Sequence, residues 1–248
     1  MTKTILISGA SAGLGAEMAR QFAHHGNDLA LCARRTDKLE ELRDEILNLH
    51  PDRRIEIRQL DVNDHDQVFE VFAGFAEDFT TLDRIVINAG LGKGAPLGTG
   101  KFWANKETAM TNFVGALAQS EAAMEVFRAQ DTGHFVMISS MSAMRGMPKA
   151  MATYAATKAG VAHLAEGLRA ELHGTPIKVS VIYPGFIDSE MNDTPGAQPF
   201  QVSTEKGVRS IVHAIEKEKQ SACVPALPWA PMSVVMKHAP LPLFKKLT

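Results

Sequence analysis

The sequence predicts a single α/β domain, a doubly wound parallel sheet with helices on both faces. Three observations carry that expectation. Six short runs rich in Val, Ile and Leu recur along the 248 residues, as strands buried on both faces should. Amphipathic helical patterns alternate with them, which implies right-handed crossovers between parallel strands. No repeat, linker or low-complexity tract interrupts the alternation. Residues 1–226 are therefore read as one domain, and 227–248 as a Pro-rich apolar extension of it.

The first run, Thr4–Ser8, passes into SGASAGLG at 8–15. Gly9, Gly13 and Gly15 permit a tight strand-to-helix turn and let a diphosphate approach the amides at the positive end of the helix, with Ser11 and Leu14 between them. This is the entry to a Rossmann fold. His24 and His25 before Gly26 mark the helix end, where cations suit the dipole. The second run, Asp28–Cys32, ends in LCARR. An NAD site usually carries a carboxylate there for the ribose hydroxyls; Ala33, Arg34 and Arg35 instead suit the 2′-phosphate of NADP. Asp37 and Glu40 stand at capping-box spacing before a helix with Leu39, Leu42, Ile46 and Leu49 on one face.

The third run, Ile55–Leu60, leads to Asp61 and Val62, and then to a helical pattern with Phe69, Phe72 and Phe79. The fourth, Arg84–Asn88, leads to Ala89 and Gly90. The fifth, His134–Ser139, precedes SSMSAMRGMPKAMATYAATK at 139–158, which holds Tyr154, one of two tyrosines. Tyr154 and Lys158, at i and i+4, lie on one helical face, so an ammonium can sit near a phenol and lower its pKa. The sixth, Ile177–Tyr183, leads to PGFIDS at 184–189.

Composition excludes several classes. A net charge of −2 without a Lys/Arg block argues against a nucleic-acid surface and favours a small-molecule partner. Two cysteines, Cys32 and Cys223, make no disulfide framework and suggest a reducing compartment. The N-terminus enters a strand at once without a signal-peptide pattern, so a cytoplasmic location is expected. The nine histidines show no metal-ligand spacing, and no metal site is expected.

The ordered motifs SGASAGLG, LDV at 60–62, INAG at 87–90, Asn112 in MTNFVG, ISS at 138–140, YAATK at 154–158 and PGFIDS resemble the short-chain dehydrogenases/reductases over roughly residues 3–190. The resemblance implies an NADP-dependent alcohol dehydrogenase or carbonyl reductase, with Tyr154 as general acid/base, Lys158 beside it and on the nicotinamide ribose, and Asn112 positioning a water. It implies cofactor contacts from Gly9, Ser11, Gly13, Leu14, Gly15, Arg34, Arg35, Asp61, Val62, Asn88, Ala89, Gly90, Tyr154 and Lys158. Pro184, Gly185, Ile187 and Ser189 would line the nicotinamide amide. Asp61 has a second reading, as a cap of the next helix.

The catalytic serine of the family commonly precedes the tyrosine by about thirteen residues, a position held here by Met141. Ser140, anchored at a strand end, is chosen, with Ser142 as the alternative or as a second contact to the substrate oxygen. Methionines at 141, 144, 147, 151 and 191 suggest a soft apolar substrate pocket. A homodimer or homotetramer is expected. The non-enzymatic alternative is a dinucleotide-sensing or scaffold protein on the same fold.

The tail, ACVPALPWAPMSVVMKHAPLPLFKKLT, departs from the strand and GG-containing ending of many family members. Prolines at 225, 228, 231, 240 and 242 forbid a membrane-spanning helix. Two short helices are expected, one with Met232, Val235 and Met236 on a face, the other with Leu243, Phe244 and Leu247 beside two lysines. The segment reads as a flap or subunit contact, a weak interfacial membrane contact, or a disordered tail.

Overall fold

The structure is a computed structural model that describes residues 2–188 and 199–247. Strands and helices alternate as β1 (Thr4–Ser8), α1 (Gly13–His24), β2 (Asp28–Ala33), α2 (Thr36–Leu49), β3 (Ile55–Gln59), α3 (His65–Phe79) and β4 (Arg84–Ile87). The second half comprises α4 (Phe102–Ala109), a π-helical turn (Met110–Val114), α5 (Gly115–Gln130), β5 (Gly133–Ile138), a 3₁₀ turn (Met141–Met144), α6 (Met151–Glu171) and β6 (Ile177–Pro184). It closes with α7 (Thr204–Glu216), β7 (Ser221–Val224), α8 (Ala226–His238) and α9 (Leu241–Leu247).

The strands form one parallel sheet in the order β3-β2-β1-β4-β5-β6-β7. The order reverses between β1 and β4, and a crevice for a ligand opens at the carboxyl ends of strands on either side of such a point. Strand alternation feeds two cores. Leu6 faces Phe72, Phe75, Phe127 and Phe135, whereas Ile5 and Ile7 face Met18, Phe22, Leu39, Ile211 and Ile215. The central strands are thus covered twice, which is why their runs read as mostly apolar stretches, whereas the edge strands β3 and β7 are only partly buried.

Four expectations change. A seventh strand, β7, pairs parallel with β6 from Val181↔Ser221 to Pro184↔Val224; SACV is too short and too close to the prolines to stand out in the sequence. Asp37 lies inside the first turn of α2, and the N-cap is Arg35, with no side-chain cap bond, so the capping box does not form. Leu49 is exposed because it is the last residue of α2. The tail forms the two helices, but Val235 and Leu243, each placed on an apolar face in the sequence, are turned outward while Phe244 is buried.

At the amino edge of the sheet, Arg84 and His134 are buried opposite each other on β4 and β5. Arg84 Nε donates to His134 Nδ1 at 2.9 Å, and His134 Nε2 lies 2.7 Å from Ser180 Oγ. A neutral ring that accepts at Nδ1 carries its proton on Nε2 and donates to the serine. Burial, helped by the charges of Arg84 and Lys3, pushes the His134 pKa down to about 3.

Candidate active site

The glycine turn is fixed by close backbone approach. Gly9 has φ +64° and Gly13 φ +53°, conformations open to glycine and strained for other residues. A Cβ on Gly9 would stand 2.8 Å from Ala89 Cα, and one on Gly15 would run into the Gly9 carbonyl oxygen. Asn88 Nδ2 donates to the carbonyls of Ser8 (2.9 Å) and Gly9 (3.3 Å), while Ser8 Oγ accepts from the amides of Asn88 and Ala89, each at 3.1 Å. Asn88 therefore braces the turn against the end of β4, a role its sequence position alone does not reveal. The N-cap of α1 is Ala12, which offers no side-chain acceptor, and the first turn of α1 contains no acidic residue. The first amides of α1 are left for an anion, and no carboxylate opposes it. Glycine cradle and uncapped helix start together fit the diphosphate of a dinucleotide.

At the end of β2, Ala33 is buried and Arg34 and Arg35 are exposed. Arg35 Nε donates to Ser11 Oγ at 3.4 Å, so that guanidinium reaches across to the glycine turn. Beyond β3, Asp61 Oδ1 accepts from the amide of Asn63 at 3.0 Å, and the cap of α3 is Asp64, which accepts from Gln67 N at 3.2 Å. The capping role belongs to Asp64, and Asp61 is left half-buried in its own turn. Val62 is buried against Gly115, whose missing Cβ makes room for the Val62 carbonyl at 2.8 Å.

Asn112 is 1% exposed and sits in the π-helical turn between α4 and α5. Such turns displace a side chain from the regular helical register and recur at functional sites. Its Oδ1 accepts from Leu91 N and its Nδ2 donates to Leu91 O, both at 2.8 Å, with Thr157 Oγ1 at 3.5 Å. The side chain thereby holds the strand-following loop open beside Gly90. A Cβ at Gly90 would lie 3.2 Å from Asn112 Oδ1 and 3.5 Å from Lys158 Nζ, so this glycine is where the two polar groups converge.

Ser140 caps the 3₁₀ turn after β5, and its hydroxyl lies near enough to the Tyr154 phenol to hold that pKa down in part. Ser142 donates to it from both N (3.2 Å) and Oγ (3.0 Å). Met141, which occupies the family's usual serine spacing, turns its side chain into the core at 4% exposure. The 3₁₀ turn absorbs the extra residue, and Ser142 is linked to Ser140, the serine that acts on the Tyr154 phenol. Lys158 is buried; its Nζ donates to the Ile138 carbonyl at 2.9 Å and stands 5.9 Å from the centroid of the Tyr154 ring. Ser139, unremarked in the sequence, ties the same helix to β5 through Oγ to Lys158 O at 2.8 Å.

The electrostatics differ from the expectation that Lys158 lowers the phenol. Burial pushes the Tyr154 pKa up, and the Ser140 hydroxyl opposes that in part. Burial also lowers Lys158 to about 8.

The loop after β6 places Pro184 and Ile187 inside and Gly185 against Trp229 of α8. Ile187 pairs with Val202 in an isolated bridge. Ser189 and Met191 lie outside the described residues. Of the other methionines, Met144 and Met147 are half-buried and Met151 is exposed. Among the described residues no group of three His, Cys, Asp or Glu side chains could hold a metal ion, and no helix is long and apolar enough to cross a membrane.

The sequence model of the short chain dehydrogenase family matches residues 3–199. An uncharacterized oxidoreductase of Mycobacterium tuberculosis is 51% identical over 232 residues, covering 94% of this chain and 92% of that protein. The NADP-dependent 3-hydroxy acid dehydrogenase of Escherichia coli is 31% identical over 185 residues, covering 74% of this chain and 72% of that one. In fold, the chain is similar to a short-chain dehydrogenase/reductase from Burkholderia phymatum solved with NAD, with a TM-score of 0.85 at 20% identity, covering 98% and 95% of the two chains. With a matching family model over most of its length and a half-identical oxidoreductase relative, this chain belongs to the short-chain dehydrogenase/reductase family of oxidoreductases.

Proposed function

We propose that the protein is an NADP(H)-dependent carbonyl reductase or alcohol dehydrogenase in which Tyr154 exchanges the proton. The observation that carries this reading is the convergence of Ser140 and the buried Lys158 on the Tyr154 phenol, with Lys158 Nζ 5.9 Å from the ring centroid. A phenol held above its ordinary pKa keeps its proton at neutral pH, which suits it to donate to a carbonyl oxygen. Ser140 stands where it can share that oxygen, and Ser142 orients Ser140 through its own hydroxyl. Lys158 is held by the Ile138 carbonyl and is available to a ribose hydroxyl. Asn112 keeps the loop at Gly90 open and can position a water on the proton path.

The dinucleotide would be held by the Gly9–Gly15 turn, by Asp61 and Val62, by the Asn88–Gly90 segment and by the Pro184–Ile187 loop, with Ser189 as the next residue of that motif. When bound, the nicotinamide supplies or accepts the hydride. Arg34 and Arg35 support NADP over NAD, because β2 ends without a carboxylate and two guanidiniums stand there. The NADP dependence of the 31% identical relative points the same way.

The test is steady-state turnover with a panel of aliphatic, aromatic and steroid ketones and β-hydroxy acids, with NADPH and with NADH. The expected result is turnover of at least one carbonyl class, with NADPH favoured by about tenfold to a few hundredfold, the worth of one or two charge-assisted pairs. Dinucleotide binding without turnover of any substrate would favour a sensing or scaffold protein instead.

A further inference from the structure

We propose that the outward face of α8 and α9 docks on an anionic lipid surface. The inner face of this segment is fixed to the domain. Trp229 is 5% exposed, meets Phe186 edge-on at 5.5 Å and Phe200 at 6.2 Å, and occupies the space a Cβ on Gly185 would need. Met232, Ser233 and Met236 follow it at helical spacing and are half-buried. Arg145, five residues beyond Ser140, donates to the carbonyls of Met236 (3.2 Å) and Ala239 and stacks 4.5 Å over the Phe244 ring.

The opposite face is apolar as well. Val234 and Val235 are 58% and 45% exposed, Leu227 is 78%, and Leu241 and Leu243 on α9 are 68% and 48%. A helix with one apolar face against protein needs no second one unless that face also leaves water. The lengths, 13 and 7 residues, are too short to span a bilayer and suit a segment lying in its interface.

Charge selects the occupant. Residues 226–248 contain Lys237, Lys245 and Lys246 and no Asp or Glu, so all 28 acidic residues and 23 of the 26 basic ones lie before them. The segment is thus net positive on a body with five surplus negative charges. Apolar side chains flanked by lysines without carboxylates match acyl chains beneath anionic headgroups. A second copy of the chain fits less well, because it would bring together two segments that each carry lysines and no Asp or Glu to offset them.

The test is co-sedimentation of the full chain with vesicles of phosphatidylcholine alone or with about one third phosphatidylglycerol, at low and high salt. Expected is binding to the anionic vesicles, weakened more than about tenfold by Lys237→Glu with Lys245→Glu, since each lysine near such a surface contributes about fivefold. Val234→Asp with Val235→Asp should abolish it. Failure of the wild type to bind, or equal binding to neutral vesicles, would overturn the proposal. So would light scattering that shows the aspartate variant dissociating an oligomer, which would put a second copy on this face. If the aspartate variant does not fold, the wild type, the glutamate variant and the salt dependence still decide.

Discussion

Lys158 reaches past the Tyr154 ring, its Nζ 5.9 Å from the ring centroid, to donate to the carbonyl of Ile138 at 2.9 Å. The ammonium is thereby buried with one backbone acceptor and a pKa near 8. Its folded value lies below the ordinary lysine value of 10.5, so the unfolded chain binds more protons than the native one between about pH 8 and pH 10.5. Lys158 accordingly costs stability below about pH 8, and that cost fades as pH rises through the window. Lys158→Met should raise the unfolding free energy at pH 7 by about 1–3 kcal/mol, with the difference from wild type shrinking by pH 10. Denaturant melts of both proteins at the two pH values measure this, and a variant less stable at pH 7 would contradict it.

The link between Ser142 and Ser140 ranks the serines. Ser140→Ala should lower kcat by about 10² or more, the scale of one oriented hydrogen bond in a transition state. Ser142→Ala, which removes a donor to Ser140 and leaves Ser140 beside Tyr154, should cost about tenfold at most. Single-turnover rates with a saturating ketone compare the two, and the reverse order would move the reactive contact to Ser142.

For cofactor choice, Ala33→Asp combined with Arg34→Ala places a carboxylate at the end of β2 and removes a guanidinium. The ratio of kcat/KM for NADPH to NADH should then fall below one. In the wild type the ratio should also shrink with rising ionic strength, because both arginines are exposed. A wild type that uses both cofactors equally would remove Arg34 from the phosphate site.

Far from the site, His134 should shape acid sensitivity. Its folded pKa of about 3 lies below the ordinary 6.5, so the unfolded chain binds the extra proton between those values. The neutral-ring stability is present above about pH 6.5 and is lost as pH falls toward 3, at up to about 1.4 kcal/mol per pH unit. His134→Gln should be less stable at pH 7, where it disrupts the bonds to Arg84 and Ser180, and should show a shallower loss between pH 6 and 4. Parallel slopes would show that His134 does not titrate on unfolding.

The sheet was legible because doubly covered strands carry mostly apolar runs, as β1, β2, β4, β5 and β6 do, and because the edge strand β3 keeps Ile55 and Ile57 in alternation. The strand β7 was not, since Ser221 to Val224 is four residues with one fully buried side chain. Tyr154, Lys158 and the glycine turn were legible because their chemistry depends on local spacing. The choice of Ser140 required the fold: the sequence offers hydroxyls on both sides of Met141, and the structure buries that methionine and places Ser140 at the cap of the 3₁₀ turn. Asn88 bracing Gly9, Asn112 holding Leu91, and Arg145 and Trp229 securing the tail are contacts between residues distant in sequence. No periodicity announces such pairs. The capping box at Asp37 failed because α2 is capped at Arg35 and so starts two residues earlier than the motif needs.

The most direct measurement is Tyr154→Phe, with NADPH affinity followed by fluorescence titration and ketone reduction followed by NADPH oxidation. The ring and its packing remain while the proton donor is removed. The account predicts a loss of turnover of about 10³-fold or more, with NADPH affinity within about threefold of wild type. Turnover near the wild-type rate, or an equal loss of cofactor binding, would contradict Tyr154 as the proton donor.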